Sequence, residues 1–120
     1  MIPHRAKRFV LVVDNAQHTT ICSALMALYD SFMKEDLPLS SGEVLRVHNE
    51  MVLPPREKGI YTITERDWKV ILNAVYKKYE AATSIGATET AAELAATYNN
   101  VRLAQTERDY KRAMHEEQAR

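Results

Sequence analysis

Apolar positions recur along this chain at two spacings, and the switches between them divide it into elements. Phe9 to Val13 is apolar throughout and rich in β-branched residues. That run fits a short strand buried on both faces. Asp14 follows, with Gln17 three positions later. In that arrangement the cap and N3 side chains bond each other's backbone N–H groups, so a helix is predicted from here. Ile21, Leu25, Leu28 and Phe32 form one stripe at helical spacing, and Cys22, Met26, Tyr29 and Met33 form a second beside it. Two adjacent stripes predict a broadly covered helix running to about Lys34.

Pro38 closes that helix, and Ser40-Ser-Gly-Glu43 offers a second capping box. Val44, Val47 and Met51, with Leu45 and Val52 alongside, predict a shorter helix that Pro54-Pro55 stops. After the polar segment 56–59, Ile60 to Ile63 reads as a strand pairing with Arg8–Val13. Thr64-Glu-Arg-Asp67 opens a third helix, with acidic side chains in the first turn where the helix dipole favours them. Trp68, Ile71, Leu72, Val75 and Tyr79 mark its apolar face.

Residues 79–100 are rich in Ala and Thr. Thr83–Thr88 reads as a turn with Gly86 in the left-handed conformation; the alternative is one unbroken helix through Gly86. A capping box at Thr90 and Glu93 predicts a last helix from Ala91 towards Glu117. The small residues Ala91, Ala92, Ala95 and Ala96 would let it approach Ala74, Ala81 and Ala82 closely. Twenty-seven residues make about 40 Å of helix, more than a compact domain of this size accommodates. Its end is therefore expected to project, carrying Tyr110 and Met114.

The fold class predicted is mainly α: four helices with a C-terminal antiparallel helical hairpin and one or two short strands, α+β being the alternative. Residues 1–120 form one domain, with 1–63 holding the first strand and two helices and 64–120 the hairpin. No repeat at solenoid periods is apparent.

Composition adds constraints. Net charge is zero, with 46% hydrophobic and 27% charged residues. That balance suits a folded protein and disfavours one whose main role is binding phosphates non-specifically. The lone Cys22 excludes an intrachain disulfide, and no apolar run approaches a membrane span. A cytoplasmic location is expected.

Candidate chemistry is sparse. His18 and Cys22 share a helix face, but two ligands do not make a zinc site and the other histidines lie elsewhere. A thiol on an apolar stripe is a poor nucleophile. Glu89 with Glu93, and the acidic residues near the C-terminus, sit among polar neighbours and lack the burial that separates catalytic pKa values. No phosphate-loop, dinucleotide or hydrolase motif is present. An enzyme is not expected, nor a cofactor or metal. Two basic features remain. His4, Arg5, Lys7 and Arg8 form an N-terminal arm, and Tyr76-Lys77-Lys78-Tyr79 interleaves tyrosines with lysines. Either could contact a ligand, although lysines also snorkel over apolar edges.

The function expected is a small helical interaction or regulatory protein that binds another protein. Self-association through the hairpin would use Leu94, Tyr98, Val101, Tyr110 and Met114, giving a homo-oligomer. The alternative is a nucleotide- or nucleic-acid-binding regulator using Arg5, Lys7, Arg8, Tyr76, Lys77, Lys78 and Tyr79.

Overall fold

A computed structural model describes residues 7–53 and 59–119. The order is β1 (Arg8–Val12), α1 (Asn15–Lys34), α2 (Pro38–Val52), β2 (Ile60–Thr64), α3 (Glu65–Ser84), α4 (Thr88–Arg102), β3 (Gln105–Thr106) and α5 (Glu107–Gln118). The predicted mainly helical class and the pairing of the two strands hold, and the pairing is antiparallel. β1 pairs with β2, Phe9 opposite Ile63 and Leu11 opposite Tyr61. The turn at Gly86 also holds, with φ of +71°. The Pro54-Pro55 stop lies outside the described residues.

Three boundaries differ from the sequence expectation. Helix α2 starts at Pro38 rather than after Ser40: proline sits in the first turn, where a missing N–H costs nothing. Ser41 donates to the Pro38 carbonyl at 3.1 Å, and Glu43 pairs with Arg66, so the Ser40–Glu43 capping box does not form. Helix α4 starts at Thr88, without a side-chain cap, and the Thr90–Glu93 box is likewise unused. The expected long last helix is broken. It ends at Arg102, β3 pairs with the second edge of β1, and Thr106 caps a separate α5 by accepting from the Asp109 N–H at 3.2 Å. A threonine at that point competes for backbone bonds with helix continuation, and the edge of β1 supplies the competing partner. Among the described residues the helices are thus five, and the sheet has order β2-β1-β3.

The chain is also internally repeated, contrary to the sequence expectation. A five-residue strand, a 20-residue helix and a 15-residue helix occur as β1-α1-α2 and again as β2-α3-α4. The helices start fifty residues apart, at Asn15 and Glu65 and at Pro38 and Thr88. Buried positions coincide: Ile21, Ala24 and Leu25 with Ile71, Ala74 and Val75, and Val44, Val47 and Met51 with Leu94, Thr97 and Val101. The turns coincide as well. The Leu37 N–H reaches back to the Phe32 carbonyl and the Ala87 N–H to the Ala82 carbonyl, each at 2.9 Å. Asp36 and Gly86 are the positive-φ residues these motifs require. A strand and first helix recur once more as β3-α5, opened by the same tetrapeptide, Thr106-Glu-Arg-Asp109, that opens α3.

The two full units bury their apolar faces in one core. Phe9, Leu11 and Val13 project from one face of β1 onto α1, α3 and the inner residues of α2 and α4. Val13 and Gly59 lock the base of the sheet: the Val13 N–H donates to the Gly59 carbonyl at 2.8 Å. Gly59 has φ of +80°, and a Cβ there would lie 2.6 Å from the Val13 oxygen, so only glycine fits. Ala74 and Ala81 line a groove against α1 instead of facing α4, which corrects the expected alanine seam. Of the alanines expected on α4, Ala92 and Ala96 are exposed.

Candidate functional site

Helix periodicity sorts the Tyr76–Tyr79 segment onto two faces. Tyr76 and Tyr79 are three residues apart, hence neighbours on one side of α3. Tyr98 joins them from α4: its ring lies 5.8 Å from Tyr76, and the Tyr76 and Tyr79 rings are 6.4 Å apart, all tilted rather than stacked. These rings border a cleft of about 200 Å³ completed by Ala95 and Asn99. Ala95 leaves room where a larger residue would fill the gap. Among the described residues no charged side chain lines the cleft. Tyr76 is 46% exposed, the most open of the three.

Lys77 and Lys78 point away from it. They line the opposite, α1-facing side of α3, where the Lys78 ammonium bonds the Ser23 hydroxyl. The sequence placed tyrosines and lysines in one patch; the structure separates them across the helix.

The N-terminal arm is only partly within view. Arg5 lies outside the described residues. Lys7 is exposed, its carbonyl accepting from the Glu65 N–H at 3.0 Å. Arg8 borders a polar cavity of about 320 Å³ with Arg46, Arg66, Thr62, Thr64, Glu50 and Asp67. Two of its three arginines are neutralised. Arg46 spans Asp67 at 2.7 Å and Glu50 at 3.0 Å, and Arg66 meets Glu43 at 2.5 Å. Asp67 is buried. Burial alone would push its carboxyl up, but the hydrogen bonds and charge of Arg46 outweigh that and hold it below the ordinary carboxylate value. This cavity is a clamp tying α2 to α3. From sequence Asp67 reads only as a first-turn acid, because the partner twenty-one residues earlier carries no local signal.

The residues expected to self-associate divide. Leu94 and Val101 are buried within the protomer's own core, at 2% and 0% exposure, so they are not available to a partner. Tyr98 is half-buried at the cleft. Tyr110 is half-buried and Met114 exposed on α5, a helix with no buried residue.

The Cys22 Sγ lies 3.7 Å from His18 Nε2, but that nitrogen is committed to another bond. It lies 2.6 Å from the Met51 carbonyl, which only accepts, so that nitrogen carries the proton. Burial pushes the Cys22 thiol up. Among the described residues, no three His, Cys, Asp or Glu side chains converge on a metal-sized site.

Fold and cleft together define a mainly helical domain of repeated strand–helix–helix units carrying an aromatic surface cleft. Comparison of the chain with protein-family models, with characterised proteins and with solved structures gave no match. Among the described residues no helix is long and apolar enough to cross a membrane.

Proposed function

We propose that this protein is a non-catalytic binding module whose Tyr76–Tyr79–Tyr98 cleft docks a segment of another protein. The observation that carries the reading is the gathering of three tyrosines from two helices around an open, uncharged cleft. Tyrosine combines a rigid apolar ring with a polar tip and loses little conformational entropy on binding, so clusters of it favour protein recognition. The scaffold supports such docking. Leu94 and Val101 fix α4 against α3 beneath the rings, so the cleft is held ready before a partner arrives.

The nucleic-acid alternative has less support. Phosphates and bases would need the lysines and tyrosines on one face, and these lie on opposite sides of α3. A cytoplasmic location accords with the single cysteine, which allows no intrachain disulfide.

A displayed peptide library tests the reading. Peptides enriched on the wild-type protein should bind Tyr76→Ala and Tyr98→Ala at least roughly tenfold more weakly, with thermal unfolding little changed at Tyr76, as for side chains at the centre of an interface. No enrichment, or enrichment indifferent to both substitutions, would overturn it.

A further inference from the structure

The groove on the other side of α3 carries a separate inference. It lies between α1 and α3 at repeat-equivalent positions, with a volume of about 260 Å³. Its walls are small residues such as Ala27 and Ala81, and its charge is one-sided: Lys77 and Lys78 line it, and among the described residues no acidic side chain does. Neither lysine forms an ion pair among the described residues.

A complementary element exists in the same chain. Along α5, Tyr110, Met114 and Glu117 follow one helical stripe, and Glu116 lies on the far side of the helix from Met114. Tyr110 is half-buried where α5 meets the sheet, and every residue from Lys111 to Ala119 is exposed. The ion pairs of α5 join Lys111 to Glu107 and Arg112 to Asp109. Glu116 and Glu117 have no such partner among the described residues. The molecule measures 49 Å along its longest axis with a radius of gyration of 15.7 Å, above the roughly 14 Å of a compact chain of this length.

We propose that α5 of one copy lies in the α1–α3 groove of a second copy, and the reverse. Met114 would enter between the alanines, and Glu117, on the same stripe, would meet Lys77 and Lys78. The occupant is an amphipathic helix read through anchors a turn apart. Because the exchange is reciprocal it closes with twofold symmetry and stops at a dimer. The tyrosine cleft lies on the other face of α3 and is untouched.

Charge reversal tests this in solution. The full chain should sediment as a dimer. Lys77→Glu with Lys78→Glu, and separately Glu117→Lys, should each raise the dimer dissociation constant roughly tenfold or more, because like charges then face each other, while Glu116→Lys on the far side of α5 should change it little. Combining Lys77→Glu, Lys78→Glu and Glu117→Lys should restore dimerisation. If the lysine pair also supports α1 through Ser23 and its loss unfolds the protein, the Glu117 variant decides alone, since Glu117 is exposed. A monomer at all concentrations, or a dimer indifferent to the Glu117 reversal, would overturn the proposal.

Discussion

His18 and Trp68 stand fifty residues apart and make the same bond. Each sends a ring N–H to a carbonyl in the last turn of the helix that follows its own: His18 to Met51 at 2.6 Å, Trp68 to Val101 at 2.7 Å. Their stacking crosses between units. Trp68 lies parallel to Phe9 of β1 at 4.2 Å, and His18 lies parallel to Tyr61 of β2 at 5.5 Å. Each unit is thus closed by its own ring and joined to its neighbour by the same ring.

The bond and the stacking can be separated. Trp68→Phe keeps an aromatic ring against Phe9 and removes the donor to Val101, which should cost about 1 kcal/mol. Trp68→Ala removes both and should cost about 3–5 kcal/mol. Urea unfolding of the two variants measures the difference; equal losses would mean the ring contributes nothing by stacking.

Asp36 and Gly86 occupy equivalent left-handed positions, with φ of +57° and +71°. A non-glycine residue there is disfavoured by about 1 kcal/mol. Asp36→Gly should therefore raise the melting temperature by a few degrees, and Gly86→Ala, with open space around it, should lower it by a similar amount. Calorimetry checks both signs.

The Arg46–Asp67 clamp sets a pH response. Unfolded, the Asp67 carboxyl titrates at its ordinary value of 3.8; folded, it titrates lower. As pH falls the unfolded chain takes up the proton first, so the clamp's contribution is whole above that value and is lost below it. Asp67→Asn should cost about 1–3 kcal/mol at neutral pH. It should also flatten the decline in stability below about pH 4 relative to wild type, as read from denaturant midpoints at a series of pH values.

Leu94→Asp places a carboxylate in the seam between α4 and the core. It should cost about 2–5 kcal/mol, seen as a collapsed melting transition, while Met114→Asp on α5 should leave the monomer's stability within about 0.5 kcal/mol.

What the sequence disclosed was what is local. The Asp14–Gln17 box, the Thr64 cap, the Gly86 turn and the apolar stripes of α1 and α3 depend on residues within a turn or two of each other. Strand β3 escaped because two residues, Gln105 and Thr106, carry no periodicity; only the edge of β1 makes them a strand. The repeat escaped because units fifty residues apart keep burial and turn geometry but few identities, such as Ile21 with Ile71 and Asn49 with Asn99. The signal that was available is Thr-Glu-Arg-Asp followed by an aromatic and a lysine, at Thr64–Lys69 and again at Thr106–Lys111. The tyrosine cleft was half legible: Tyr76 and Tyr79 stood out, but their separation from the lysines follows from which side of α3 meets α1.

The position of β1 fixes when this molecule can be finished. It is the middle strand and the first to leave the ribosome, yet Val10 is bonded across its second edge to Gln105. During synthesis the two full units can assemble and bury their shared core while that edge stays open to other extended chains. Such long-range closure is slow relative to local helix formation, and an open edge invites mispairing. The second edge of β1 is therefore the last part of the sheet to close, and it closes only with residues that follow both full units in the chain.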